Sequence, residues 1–161
     1  MKIYTRSGDE GFTKLYINHE RLESFSKADG IFDILGKIDE LNVEIAPLRN
    51  DIPFCIELGH LLIKISGDLQ AKIDIDLSDL VSRLEEDIDD MTTSLPPLRN
   101  FIIPLPASYQ AHKCRIVTRE VERLLVKQKI NISYIKFFNR LSDYFFTLAR
   151  TLSKDEIIHR S

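Results

Sequence analysis

The segment SYIKFFNRLSDYFFTLAR, residues 133–150, decides the fold. Successive residues of an α-helix lie about 100° apart around its axis. At that spacing, the apolar residues of this segment lie on nearly every side of the helix. A helix that is apolar all round lies in the interior of a bundle. We therefore predict a central helix from about Ser133 to Lys154, whose apolar residues are Phe137, Phe138, Leu141, Tyr144, Phe145, Phe146 and Leu148.

Three polar residues of this helix, Asn139, Asp143 and Arg150, fall on one stripe. Buried polar groups need hydrogen-bonding partners. We expect the partner to be an arginine on the neighbouring helix.

Four more helices are predicted from apolar residues that recur at spacings of three and four. They run from about Ser26 to Pro47, Ile52 to Ile73, Leu77 to Thr93 and Ser108 to Lys129, with Ser26 or Asp29 as N-cap of the first. Residues 1–24 are predicted to be irregular, and strand patterns are almost absent. The sequence thus predicts an all-α, five-helix up-and-down bundle that forms a single domain over residues 1–161.

The segment between the third and fourth helices, residues 94–106, contains four prolines among apolar residues. Proline removes a backbone donor and disfavours helix at the residue before it. We expect an extended segment packed on the bundle, with Phe101 in the core or in a lid.

The composition narrows the class of protein. The chain has a net charge of −3, which argues against wholesale nucleic-acid binding. Cys55 and Cys114 form no CxxC pair, as is typical of free thiols in a reducing cytoplasm. The N-terminus has no apolar signal core, no run is long enough for a membrane span, and the four histidines lack metal-binding spacing. We expect a cytoplasmic protein without a structural metal, a membrane partner or a nucleic-acid partner.

Two stretches carry candidate anion-binding groups. The first, TRSGDEGFTK at residues 5–14, combines hydroxyls, glycines, Arg6 and Lys14, although it is not a P-loop. The alternative interpretation of residues 5–14 is a flexible polar arm. In the second, Arg115, Arg119, Glu122 and Arg123 share one helical stripe, which is either a solvated face or an anion clamp. The acidic run of the third helix is predicted to be solvated, and a catalytic carboxylate pair there is disfavoured.

Taken together, these residues resemble the PduO-type ATP:cob(I)alamin adenosyltransferases. Residues 5–13 are similar to that family's T-R-x-G-D-x-G-x-T, and residues 39–42, DELN, to its V-D-E-L-N. A third block joins residues 101–104, FIIP, to the arginine stripe and to residues 139–143, NRLSD. The order and spacing of the blocks make the resemblance specific.

The resemblance implies a homotrimer with sites between subunits, ATP and cob(I)alamin as substrates, Mg²⁺ bound through ATP rather than by protein ligands, and a reductase or an acceptor mutase as partners. It implies that Asp39 and Arg115 form a pair that bridges subunits beside the cobalamin, that Phe101 faces the lower side of the corrin, and that Arg119 serves both ATP and catalysis. The implied ATP-binding residues are Thr5, Arg6, Ser7, Gly8, Thr13, Lys27, Arg119, Glu122, Arg123 and Asn139. Lys14, just after the first block, is added to them as a candidate donor because of its charge.

Three positions depart from the family pattern. Lys37 stands where the family usually has threonine, Leu105 where it has glycine, and Glu120 where it has arginine. We expect these changes to affect corrinoid affinity more than ATP binding. The alternatives are a diverged, non-catalytic ATP-binding bundle that acts in nucleotide sensing or interaction, and a purely structural module whose arginine stripe pairs with Asp39 and Asp143.

Overall fold

The computed structural model describes residues 2–153 and the backbone of residues 157 and 158. Its five helices are α1 (Gly30–Glu44), α2 (Phe54–Gln70), α3 (Ser78–Thr93), α4 (Tyr109–Lys127) and α5 (Ile132–Leu152). The predicted bundle is confirmed, and most helix ends lie within four residues of those predicted. The predicted end of the last helix, Lys154, lies outside the described residues. The strands are β1 (Phe12–Ile17), β2 (Arg21–Ser26), β3 (Ile102–Ile103) and β4 (Ile157–Ile158).

Helix α5 occupies the centre of the bundle, as its sequence predicts. It packs along both α3 and α4, and Phe137, Phe138 and Phe145 are completely buried. Burying a phenylalanine side chain contributes roughly 1.5–3 kcal/mol, so this helix supplies much of the hydrophobic driving force. The helix begins where the Asn131 side chain accepts a hydrogen bond from the Ser133 backbone N–H at 2.9 Å.

The polar stripe of α5 has different partners from those expected. Arg140, one turn away on the same helix, donates to Asp143 at 2.8 Å and also pairs with Glu85 of α3. Buried Arg150 donates to the backbone oxygen of Pro96 at 2.6 Å. The prediction of an arginine from the neighbouring helix as partner is therefore wrong for Asp143, because the i, i+3 neighbour already reaches its carboxylate.

The prediction that residues 1–24 are irregular is wrong from residue 12 onward, where β1 and β2 form an antiparallel hairpin with Phe12 opposite Ser26 and Ile17 opposite Arg21. Asn18 and His19 make the turn with φ angles of 50° and 60°, which asparagine and histidine adopt more readily than most residues. The Asn18 N–H donates to the Ala71 oxygen at 2.8 Å and attaches the hairpin to the end of α2.

The proline-rich segment is extended as predicted, apart from a short 3-10 turn over residues 106–108. Within it, β3 pairs in antiparallel fashion with β4. Phe101, just before β3, is 85% exposed, so of its two predicted places, core or lid, the core is wrong. An aromatic side chain held in the open is available to a ligand or to another subunit.

The two cysteines are free and buried, as expected for structural thiols. Burial raises the pKa of Cys55 to about 11 and that of Cys114 to about 12. Among the described residues, no helix is both long and apolar enough to cross a membrane.

Candidate functional site

The N-terminal loop is held in place by Lys27. Lys27 Nζ donates to the Gly8 oxygen at 2.6 Å, and the Lys27 backbone N–H donates to the Gly11 oxygen at 2.8 Å. Within the loop, the hydroxyls of Thr5 and Ser7 share a hydrogen bond at 2.8 Å. A Cβ at Gly8 would lie 2.6 Å from Lys27 Nζ, so glycine is what lets the lysine approach. The predicted loop residues and Lys27 are therefore brought together.

A cleft of about 420 Å³ opens beside this loop. Three of the predicted ATP-binding residues, Ser7, Thr13 and Lys14, line it. Glu10 and Ser24 line it as well, and Ser24 lies directly across the hairpin from Lys14. Ser24 was missed because its place depends on the hairpin register.

The arginine stripe gives α4 a cationic face. Arg119 and Arg123 are exposed, and no ion pair among the described residues engages either guanidinium. The Asn139 amide of α5 donates to the Glu122 carboxylate at 2.9 Å, so these two predicted residues are also brought together. Unpaired arginines beside an oriented amide suit a polyphosphate better than they suit an internal ion-pair network.

A second cleft, of about 380 Å³, joins this face to the proline-rich segment; we call it the Phe101 cleft. It brings Phe101, Arg115 and Arg119 together with Asp143 and Phe146. The Arg115 guanidinium lies 5.8 Å from the centroid of the Phe146 ring. Burial, and then the neighbouring charge of Arg119, lower the pKa of Arg115. Its Nε has no hydrogen-bond partner among the described residues.

Asp39 lies elsewhere, in an open groove of about 660 Å³ along α1 that also contains Asn42 and Arg49. The groove, the Phe101 cleft and the loop cleft share no lining residue. Within the described part of one chain, the arginine stripe forms no ion pair with Asp39 or Asp143. The purely structural hypothesis thus lacks the pairing on which it depended.

Two of the three departures from the family pattern meet in the structure. Lys37 Nζ lies 2.7 Å from a Glu120 carboxylate oxygen and 2.6 Å from one of Glu40. The hydrogen bond from Lys37 lowers the pKa of Glu120, and the hydrogen bonds to Glu120 and Glu40 raise the pKa of Lys37. The pair connects α1 to α4, and the two unusual residues are complementary.

The acidic run of α3 is solvated, as predicted: Glu86, Asp89 and Asp90 are exposed, and Glu85 pairs with Arg140. Across the described residues, no group of three or more histidine, cysteine, aspartate or glutamate side chains could hold a metal ion.

Comparison with known proteins decides the family. The family model for cobalamin adenosyltransferase matches residues 3–152. The chain belongs to the cobalamin adenosyltransferase family. Bovine corrinoid adenosyltransferase MMAB is 34% identical over 190 residues, covering 96% of this chain and 73% of the bovine protein. The Bacillus subtilis corrinoid adenosyltransferase is 32% identical over 173 residues, covering 95% of this chain and 87% of that protein.

A solved structure has the same fold as this adenosyltransferase-family chain. It is a variant of the PduO-type ATP:corrinoid adenosyltransferase from Lactobacillus reuteri complexed with cobalamin and ATP. The TM-score is 0.85 at 28% sequence identity, and the match covers 99% of this chain and all of the other.

Proposed function

We propose that this chain transfers the 5′-deoxyadenosyl group of ATP to cob(I)alamin and releases adenosylcobalamin and triphosphate. The observation that carries the proposal is the Phe101 cleft, where an exposed aromatic ring stands beside two arginines, neither of which forms an ion pair within the described residues. An apolar surface for a corrinoid next to cations for a polyphosphate is what this reaction requires.

The reaction is a displacement at carbon. The Co(I) electron pair attacks C5′ of the ribose, a Co–C bond forms, and the C5′–O bond breaks with its electrons leaving on the triphosphate. No proton transfer is needed at the reacting carbon, so catalysis rests on orientation and on stabilising the leaving group. Arg119, Arg123, Lys27 and the N–H groups of residues 5–8 supply that charge, together with the Mg²⁺ that enters with ATP.

Phe101 has a separate role in this proposal. Cobalt must reach the Co(I) state before it can attack, and a lower axial ligand opposes that reduction. An apolar ring held against the lower face of the corrin excludes such a ligand. The 85% exposure of Phe101 is consistent with a side chain that is covered only when a corrinoid binds.

The site also needs a second copy of the chain. The loop cleft, the Phe101 cleft and the α1 groove share no lining residue, yet the proposed reaction uses groups from all three. A homotrimer in which Asp39 of one subunit pairs with Arg115 of the next would assemble them. The half-buried Arg115, whose Nε lacks a partner within the described part of one chain, supports this arrangement.

The direct test is formation of adenosylcobalamin from Mg-ATP and chemically reduced cobalamin, followed anaerobically by absorbance. Formation of the product separates transfer from ATP binding alone. If saturating Mg-ATP gives no product, the proposal is wrong.

Arg119→Ala tests the assignment of the cationic face. We expect it to abolish ATP binding in a calorimetric titration while the unfolding midpoint stays unchanged, because substitutions at exposed positions away from special features alter stability by about 0.5 kcal/mol or less. Lys64→Ala is the control, since Lys64 is an exposed cation on α2, which carries none of the proposed site residues. Unfolding of the Arg119 variant would support a structural role instead.

A further inference from the structure

A half-buried arginine just after α1, Arg49, holds one side chain of that helix in a fixed orientation. Its Nη2 donates to the Asn42 backbone oxygen at 3.0 Å and to the Asn42 side-chain oxygen at 2.6 Å. Arg49 follows the short 3-10 turn Ala46–Leu48 and forms no ion pair within the described residues. The first of the two bonds caps the end of α1, and the second fixes the Asn42 amide.

Buried Gly59 of α2 makes room for this contact. A Cβ at Gly59 would lie 3.0 Å from Arg49 Nη2 and 3.2 Å from Asn42 Oδ1, closer than such atoms normally pack. A glycine in the interior of a helix costs roughly 1 kcal/mol relative to alanine. The fold therefore gives up helix stability at the position where the arginine and the amide meet.

The orientation of the Asn42 amide follows from the chemistry of arginine. A guanidinium only donates, so the atom that faces it must be the carbonyl oxygen, and the NH₂ group lies on the opposite side. Asn42 lines the α1 groove. Its Nδ2 makes no hydrogen bond within the described residues and is not among their buried polar atoms that lack a partner, so it is accessible to a ligand.

The other polar groups of the groove restrict what this donor can bind. Asp39, one turn before Asn42 on the same helix, and Glu40 also line the groove, and their carboxylates only accept. They would repel an anion. A carboxamide suits both kinds of group, because its carbonyl oxygen accepts from Asn42 and its NH₂ group donates to a carboxylate. In the proposed trimer the groove meets the Phe101 cleft of a neighbouring subunit, and the side chains of cobalamin's corrin ring end in carboxamides.

We propose that Asn42 donates a hydrogen bond to a side-chain carboxamide of the corrinoid, and that Arg49 is the positioning residue that turns the Asn42 NH₂ group towards it. This inference rests on the proposed function, because it takes a corrinoid as the ligand and a trimer as the assembly that brings it to the groove.

The main test is Asn42→Asp, because aspartate keeps the oxygen that accepts from Arg49 and replaces the NH₂ group by a second acceptor. We measure initial rates of adenosylcobalamin formation at saturating Mg-ATP while the cob(I)alamin concentration is varied. We expect the KM for cob(I)alamin to rise about tenfold, the factor of one hydrogen bond, with little change in kcat. The KM for ATP and the unfolding midpoint should stay unchanged. If Arg49 only caps α1, the corrinoid KM of this variant also stays unchanged, and the inference is wrong.

Two more variants test the positioning role. Arg49→Met removes the donor, and we expect the corrinoid KM to rise as it does in Asn42→Asp; an unchanged KM would overturn the inference. Since Arg49→Met also removes the cap of α1, Gly59→Ala tests the same contact with the arginine in place. It should raise the corrinoid KM, whereas Gly67→Ala on the same helix, whose Cβ meets nothing within 4 Å, should not.

The mass of the assembly separates the corrinoid from another source of the same chemistry, a carbonyl group of a neighbouring subunit. We expect Asn42→Asp to have the same mass as the wild type in light scattering. Dissociation of the variant would mean that the acceptor belongs to the protein, and would overturn the inference. A wild type that forms no adenosylcobalamin overturns the proposed function itself, whereas an active wild type with an unaffected aspartate variant overturns only this inference.

Discussion

The ion pair between Lys37 and Glu120 gives a quantitative prediction. Its Lys37 side chain is 27% exposed and its Glu120 side chain 43% exposed, so solvent screens the pair only in part. Exposed ion pairs contribute about 0.2–1 kcal/mol. Lys37 is already held by Glu40 within α1, so pairing with Glu120 costs less side-chain entropy than usual. We expect a coupling free energy of about 0.5–1 kcal/mol, near the upper end of that range.

A double-mutant cycle measures this coupling. Lys37→Met, Glu120→Gln and the double variant are unfolded in urea at one fixed protein concentration, because association would make the midpoint depend on concentration. With a urea m-value of about 2–3 kcal/mol/M, each single variant lowers the midpoint by about 0.2–0.5 M. The cycle of Lys64→Met and Asp68→Asn, an ion pair within α2, is the control for a local contact.

The coupling has a defined pH window. The pKa of Glu120 is lowered in the folded state from its ordinary value of 4.5, so its stabilisation is present above that value and is lost as pH falls through the folded-state pKa. The pKa of Lys37 is raised from 10.5, so its stabilisation is present below that value and is lost as pH rises through the raised one. The coupling should therefore be constant between about pH 5 and pH 10 and vanish in strong acid.

Two results would refute this reasoning. One is a coupling indistinguishable from zero at neutral pH in low salt. The other concerns variants that carry the family's usual residues at positions 37 and 120. Glu120→Arg alone places a second cation beside Lys37, and adding Lys37→Thr relieves the repulsion, so the double variant should be the more stable of the two. If it is not, the two departures are independent.

Two more predictions follow from the local geometry. Gly8→Ala places a Cβ 2.6 Å from Lys27 Nζ and forces that ammonium group to move, so we expect ATP affinity to fall about tenfold without loss of stability. The control is Gly67→Ala on α2, whose Cβ meets nothing within 4 Å and which lines none of the three clefts, so ATP affinity should stay unchanged. Equal affinities of the two variants would contradict the role of Lys27 in ATP binding. Burial raises the pKa values of Cys55 and Cys114 to about 11 and about 12. A thiol reagent at pH 8 should therefore label the protein only when it unfolds in urea. Rapid labelling of the folded protein would contradict this prediction, because it would show that the thiols are accessible.

The helices could be predicted from the sequence because each has a strong apolar period. The hairpin could not, because its outward face is apolar too: Phe12, Tyr16 and Leu22 all point away from the bundle and are exposed. With apolar residues on both faces, the alternation that marks a half-buried strand disappears. The turn also uses Asn18 and His19 in place of glycine.

Contacts between distant residues were the least predictable part of the site. Lys37 and Glu120 belong to different helices, and they meet only because α1 packs against α4. Gly59 has no side chain to contribute to an apolar period, yet it is the residue that lets Arg49 reach Asn42. Periodicity tells which face of a helix is buried, but not which residues of other elements that face will meet.

The residue types of the candidate site were predictable for a different reason. Nucleophilic attack on C5′ of ATP needs cations and backbone donors for the leaving group and an apolar surface for the corrin, and each of these has a sequence pattern. No sequence pattern shows which subunit supplies each of these groups. Asp39 and Arg115 lie in separate clefts of one chain, so a pair between them in the proposed trimer is a contact between subunits. Their charges have to be complementary across a symmetric interface. That complementarity is a property of the assembled trimer, so no local segment of the sequence reveals it.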